Sequence, residues 1–197
     1  MSKLHFKYGA MNSGKTDTLI KAAYNYKECG LTAIVVKPSI DVKGGKLIVT
    51  RSGNKQSVDI LASPETDLRA AVKAYIKENK IKKLSCVLVD EAQLLLGKQV
   101  EQLFDLAKID GISVIAYGLR ADFRTELFTG SKRLLELADN IEKLPTMCRC
   151  GSQAEFNCRK RSGDFVFEGD QIAIDGEDDV SYESLCGKCY EQERGSL

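Results

Sequence analysis

Leu4, Phe6 and Tyr8 occupy every second position of Lys3–Tyr8, the period of a strand with one buried face. From Asp17 to Lys27 the apolar residues Leu19, Ile20, Ala23 and Tyr24 recur at helical spacing, and Gly30 is placed to stop that helix. Leu31–Val36 is a short β-branched run and predicts a buried strand, so that strand, helix and strand imply a right-handed crossover onto a parallel sheet. Periodicity then breaks over residues 37–57, where Pro38, Gly44-Gly45 and Gly53 surround one brief run, Leu47-Ile48-Val49-Thr50, and predict a loop or hairpin. Ser63-Pro64-Glu65 reads as a helix start, with a capping residue, a proline at the first helical position and an acid in the first turn. Leu68, Ala71, Val72, Tyr75 and Ile76 continue it at i, i+3, i+4, i+7 and i+8.

The second half repeats this alternation. Cys86-Val87-Leu88-Val89 is a strand ending in Asp90-Glu91; Val100, Leu103, Phe104 and Ala107 mark a helix over Lys98–Lys108, closed by Asp110-Gly111. Ile112–Gly118 is a further buried strand, Leu134, Leu135, Leu137 and Ala138 form a short helix, and Ile141–Leu144 is a last strand. The expected class is α/β, an open parallel sheet flanked by helices.

At 197 residues and 43% apolar composition the chain suits one large domain with a small appendage. The boundary is expected at Pro145, where composition changes, giving domains 1–145 and 146–197. The 29 Lys and Arg nearly cancel the 28 Asp and Glu, for a net charge of +1, which argues against a broad nucleic-acid surface. No apolar run approaches the ~18 residues of a membrane span, and Met1-Ser2-Lys3-Leu4 opens no secretory signal, so a reducing cytoplasm is expected.

Gly9-Ala10-Met11-Asn12-Ser13-Gly14-Lys15-Thr16 matches G-x-x-x-x-G-K-T between the first strand and the first helix. Its glycines let successive N–H groups converge on an anion at the positive end of a helix, Lys15 adds a charge for the β- and γ-phosphates of ATP, and Thr16 can place a hydroxyl on Mg²⁺. The P-loop nucleotide-binding fold needs an acid at a strand end to reach that metal, and Asp90 is placed for it. If the strand persists through residue 91, alternation aims Glu91 elsewhere, free to take a proton from an attacking oxygen; the alternative is that Glu91 caps the next segment. Asp41, Lys43 and Arg51 are the candidate charges of the irregular stretch, or simply solvated loop residues. Leu119–Arg124 emerges from a strand end, where open α/β sheets bind ligands, and Phe123 and Phe128 are candidates for stacking on a base or for ordinary packing.

Seven cysteines without an export signal read as thiols or metal ligands. Cys29 and Cys86 lie among apolar residues and are expected in the core. Cys148, Cys150, Cys186 and Cys189 form two pairs that supply a four-sulfur set for structural Zn²⁺, with Cys158 the alternative to Cys150. His5, the single histidine, is expected at the core or sheet edge.

Gly9–Thr16, Asp90-Glu91-Ala92-Gln93, Tyr117–Arg124 with Phe128, and the cysteine pairs together resemble the type II thymidine kinase family over nearly the whole chain. The resemblance implies transfer of the ATP γ-phosphate to the 5′-hydroxyl of thymidine, giving dTMP and ADP. It makes Glu91 the proton acceptor, assigns ATP and Mg²⁺ to the Gly9–Thr16 loop with Asp90, and puts Asp41 near the metal or the substrate hydroxyl. Met11, Gln93, Leu94, Leu119, Phe123 and Phe128 would line the thymine pocket, and Tyr182 would lie on a zinc-bound lasso that closes over the nucleoside. A cytoplasmic homotetramer inhibited by dTTP is implied as well. Leu94 replaces a frequent Phe, Lys43 a frequent Arg, and Ile174–Tyr182 is longer than the family norm. Two other readings use the same motifs, an ATPase that works on nucleic acid and a zinc-ribbon interaction module.

Overall fold

The structure, a computed structural model, describes residues 2–41, 45–50, 53–171 and 179–195. Lys43 and Arg51 lie outside the described residues, as does 174–178 of the stretch Ile174–Tyr182.

The aliphatic runs become strands because their side chains are consumed on both faces. β1 (Leu4–Tyr8), β2 (Ala33–Pro38), β5 (Ile60–Ala62), β6 (Cys86–Val89), β7 (Ser113–Gly118) and β8 (Asn140–Lys143) form one parallel sheet in the order β5-β2-β6-β7-β1-β8. Leu4, Phe6, Ile34, Val36, Val87, Val89, Val114 and Ala116 face a core closed by α2 (Leu68–Glu78), α3 (Gly97–Lys108) and α4 (Thr129–Leu137). Val35, Cys86, Leu88 and Tyr117 face the other way, against Leu19 of α1 (Lys15–Glu28) and against Ile48 and Val58. Ile48 belongs to a small hairpin of β3 (Leu47–Val49) and β4 (Lys55–Ser57), the hairpin expected in the irregular stretch.

Several boundaries differ from expectation for local reasons. Ser63 and Pro64 do not open α2: Thr66 N–H donates to Ser63 C=O, closing a turn, and Asp67 caps the helix by accepting from Ala70 N–H. β5, only three residues long, lies too close to that turn to show a period of its own. β2 begins at Ala33 and runs on to Pro38, since Ser39 N–H donates to Ala62 C=O beside it. Cys29 is exposed just past α1, not in the core, whereas Cys86 is fully buried. His5 sits near the sheet edge, its Nδ1 3.1 Å from the Asn140 amide nitrogen of β8.

After residue 145 the chain builds a second sheet. β9 (Phe156–Arg161) pairs antiparallel with β10 (Asp164–Val166) and β11 (Val180–Leu185), and α5 (Gly187–Arg194) follows. Its two faces carry different chemistry. Phe156, Cys158 and Leu185 enter a small core with Cys148, Cys189 and Tyr190, whereas Asn157, Arg159, Tyr182 and Ser184 turn toward the large sheet.

Candidate active site

Gly9–Thr16 folds as the motif requires. Asn12 and Gly14 take left-handed backbone conformations, φ 65° and 72°, which reverse the chain tightly enough to start α1 at Lys15. The Lys15 ammonium donates to the carbonyls of Ala10 at 2.9 Å and Gly9 at 3.2 Å. Burial pulls its pKa below the ordinary lysine value, opposed by the negative charges of Glu91 and Asp90. Thr16 occupies the first turn of α1.

The acids sit across one intervening strand. β7 lies between β1 and β6, and Gly9 N–H donates to Gly118 C=O at the end of β7. Gly118 is required there because a Cβ would lie 2.6 Å from Gln93 Oε1 and 3.0 Å from the Gln93 nitrogen. β6 ends at Val89, so strand alternation does not separate Asp90 from Glu91. Glu91 instead adopts φ 47°, ψ 38°, an uncommon conformation for a non-glycine residue, and opens a 3₁₀ turn, Ala92–Leu94. Its side chain makes no capping bond. Gln93 holds it instead, donating from Nε2 to Glu91 Oε2 at 2.5 Å while Oε1 accepts from Leu119 N–H at 3.0 Å. Both polar ends of Gln93 are thereby engaged with protein groups.

Asp90 is 4% exposed, and burial raises its pKa well above the usual carboxylate range, helped by the charges of Glu91 and Asp41 and opposed by the Glu91 backbone and Lys15. A buried carboxylate beside a second carboxylate, with a threonine hydroxyl on the facing helix, is an oxygen-donor set suited to Mg²⁺. Asp41 is paired at 3.0 Å with Lys37, a lysine only 1% exposed at the end of β2. Sequence reasoning passed over Lys37, although a lysine interrupting an apolar run four residues before an aspartate was the available signal.

The base-pocket candidates divide between two places. Gln93, Leu94 and Phe128 line a cleft of about 200 Å³ with Pro38, Ile40 and Gln171. Phe123 is 1% exposed and lies beneath Arg159, whose guanidinium carbon is 3.9 Å from the ring centroid. Arg159 also donates to Tyr182 Oη at 2.9 Å and to the carbonyls of Asp170 and Gln171. One buried arginine thus gathers two expected substrate residues and the backbone at Asp170 and Gln171, without any sequence motif to mark it. Leu119 turns its N–H to Gln93 and its carbonyl to Ser131 Oγ. Met11 is held at both backbone groups by Asn157 and Ser184.

Cys148, Cys150, Cys186 and Cys189 bring all four sulfurs within 4.8 Å of one another. Tetrahedral zinc with bonds of ~2.3 Å places sulfurs about 3.8 Å apart, so the set fits. Cys158 lies outside it, fully buried, its thiol pushed up to about 12 by burial.

The class the fold defines is α/β, a six-stranded parallel sheet flanked by helices, with a glycine loop, lysine and threonine after one strand and an acid pair after another. The sequence model of the thymidine kinase family matches residues 2–190. The thymidine kinase of Haemophilus influenzae strain 86-028NP is 43% identical over 100% of both chains, and that of Enterobacteria phage T4 is 42% identical over 95% of each. The thymidine kinase of Rhodopirellula baltica is 38% identical, covering 94% of this chain and 86% of its own. The chain belongs to the thymidine kinase family.

Proposed function

We propose that the protein transfers the γ-phosphate of ATP to the 5′-hydroxyl of thymidine. The observation that carries the chemistry is Glu91, turned out of the strand at positive φ and held by Gln93 at the sheet edge that also carries Lys15 and Asp90. Phosphoryl transfer needs positioning, charge neutralisation and an oriented nucleophile. Gly9–Thr16 holds the phosphates, and the Lys15 ammonium exchanges its loop carbonyls for phosphate oxygens. Thr16 and Asp90 would hold Mg²⁺, whose charge when bound offsets that of the phosphates. Glu91 accepts the hydroxyl proton as the 5′-oxygen bonds to the γ-phosphorus, and ADP leaves. Asp41, Leu94, Leu119, Phe123, Phe128 and Tyr182 position the nucleoside on this reading, with Gln93 acting on it through Glu91 and Leu119.

The reading takes residues 146–197 as a zinc-bound substrate domain and extends, by family likeness, to a cytoplasmic homotetramer with dTTP as feedback ligand. Its test is phosphate transfer from Mg·ATP to thymidine, compared with deoxycytidine, deoxyguanosine and no nucleoside. dTMP is expected only with thymidine, and Glu91→Gln is expected to lower kcat about 10²–10⁴-fold while ATP still binds. ATP hydrolysis stimulated by single-stranded DNA, with no phosphorylated nucleoside, would replace the reading with an ATPase.

A further inference from the structure

The phosphate loop and the C-terminal sheet meet at Met11. Met11 N–H donates to Asn157 Oδ1 at 2.8 Å, and Met11 C=O accepts from Ser184 Oγ at 2.6 Å. Asn157 and Ser184 stand directly opposite one another in the β9–β11 register, so both side chains leave the same face of the sheet. They are 5% and 6% exposed, which makes these bonds the satisfied state of buried polar groups and not solvent-competed surface contacts. Asn157 is anchored in turn by its Nδ2, which donates to Ala121 C=O at 3.1 Å, in the segment after β7. The adjacent loop peptide is tied as well, since Thr146 Oγ1 donates to Asn12 C=O at 3.2 Å. On the opposite face of the same strands, Cys158 and Leu185 pack in the core that holds the zinc-ligand cysteines.

We propose that Asn157 and Ser184 are positioning residues that set the phosphate loop for ATP by holding both backbone groups of Met11 from the C-terminal sheet. A phosphate loop binds through N–H groups whose directions are fixed by backbone torsions, so a rotation of the Met11 peptide redirects the donors that follow it. The loop's own bonds on either side, Ser13 N–H to Ala10 C=O at 3.3 Å and the Lys15 ammonium to Gly9 and Ala10 C=O, do not engage the Met11 N–H or C=O. Two short bonds from a neighbouring sheet engage both. The inference rests on reading Gly9–Thr16 as the ATP phosphate loop.

The test compares steady-state kinetics of full-length, zinc-loaded wild type, Ser184→Ala, Ser184→Thr, Asn157→Ala and the Ser184→Ala/Asn157→Ala pair, each with zinc content and thermal midpoint recorded. Ser184→Ala and Asn157→Ala should each raise KM for ATP about three- to tenfold. Ser184→Thr, which keeps the hydroxyl, should return it to near the wild-type value. Because both side chains hold the same residue, the double variant should fall short of the product of the single effects. Unchanged KM for ATP in variants that retain zinc, whatever their thermal midpoints, would overturn the proposal, as would failure of Ser184→Thr to rescue. Should the alanine variants not fold, residue-resolved amide exchange on the wild type decides: protection of the Met11 amide comparable to β9 supports the clamp, and fast exchange defeats it. A wild-type protein that phosphorylates no thymidine would remove the functional reading, a result distinct from any of these.

Discussion

The large sheet and the C-terminal sheet are held by different physics. Around the first, aliphatic side chains from five strands and three helices are buried against one another, among them Leu4, Val87, Val114, Leu103 and Leu134 at 0% exposure. Around the second, the buried cluster is Cys148, Ala154, Cys158, Leu185, Cys189 and Tyr190, half of it cysteine. A region with so little hydrocarbon gains little from burial to offset its chain entropy, and its four converging sulfurs form a set that could hold a stabilising metal. The difference teaches where function is vulnerable. Gly9–Thr16 follows a strand of the aliphatic region, yet Met11 is hydrogen-bonded to the sheet whose core carries the four-cysteine set.

Metal removal should separate the two most sharply. Structural zinc sites contribute on the order of 10–16 kcal/mol of apparent binding energy, so chelation or Cys186→Ser should abolish amide protection across β9, β10 and β11 while β1, β6 and β7 stay protected. Simultaneous loss in both sheets by hydrogen exchange would contradict this division. The converse lesion is Leu103→Ala, which opens a cavity beneath the large sheet and should cost about 2–5 kcal/mol in thermal or denaturant unfolding with zinc content unchanged.

Arg159→Met should act within the C-terminal region and cost about 1–3 kcal/mol there, because Tyr182 Oη and the carbonyls of Asp170 and Gln171 lose a buried donor. Faster exchange in β11 with no change in β7 is the expected signature. The smallest effect belongs to a polar clasp of the large region. Arg69, with Lys73, holds the Asp110 carboxyl down to about 2 from its usual 3.8. A folded-state value below the unfolded one means that this stabilisation is present above about pH 4 and is lost as the pH falls toward 2. Arg69→Met should flatten that part of the stability–pH curve; an unaltered slope would assign the acid sensitivity to other carboxylates.

Legibility in the sequence followed the same divide. β6 was readable because burial on both faces demands an uninterrupted apolar run and β1 because one buried face gives strict alternation, whereas three-residue β5 falls below the length at which a period shows. Ser63-Pro64 misled because the same residues suit a helix start and a turn, and Asp67 competes four residues later as a better-placed cap. β9, Phe-Asn-Cys-Arg-Lys-Arg, resembles no ordinary strand since one face serves the sulfur core and the other a polar site. Strand alternation would part Asp90 from Glu91 only if the strand ran on through residue 91; it ends at Val89, and Glu91 takes a positive φ instead.

Local order was therefore written in the residues themselves. A glycine loop between a strand and a helix, helical and strand periods, and the close spacing within each cysteine pair depend on neighbours within a few positions, where covalent geometry leaves few choices. The placement of β7 between the phosphate loop and the acid pair, the grip of Gln93 on Glu91, and the bond from Met11 to a partner 146 residues away belong to the folded chain alone. Short polar side chains have many possible partners along a sequence, and it is the packing of the two sheets that leaves each of these with the ones it has.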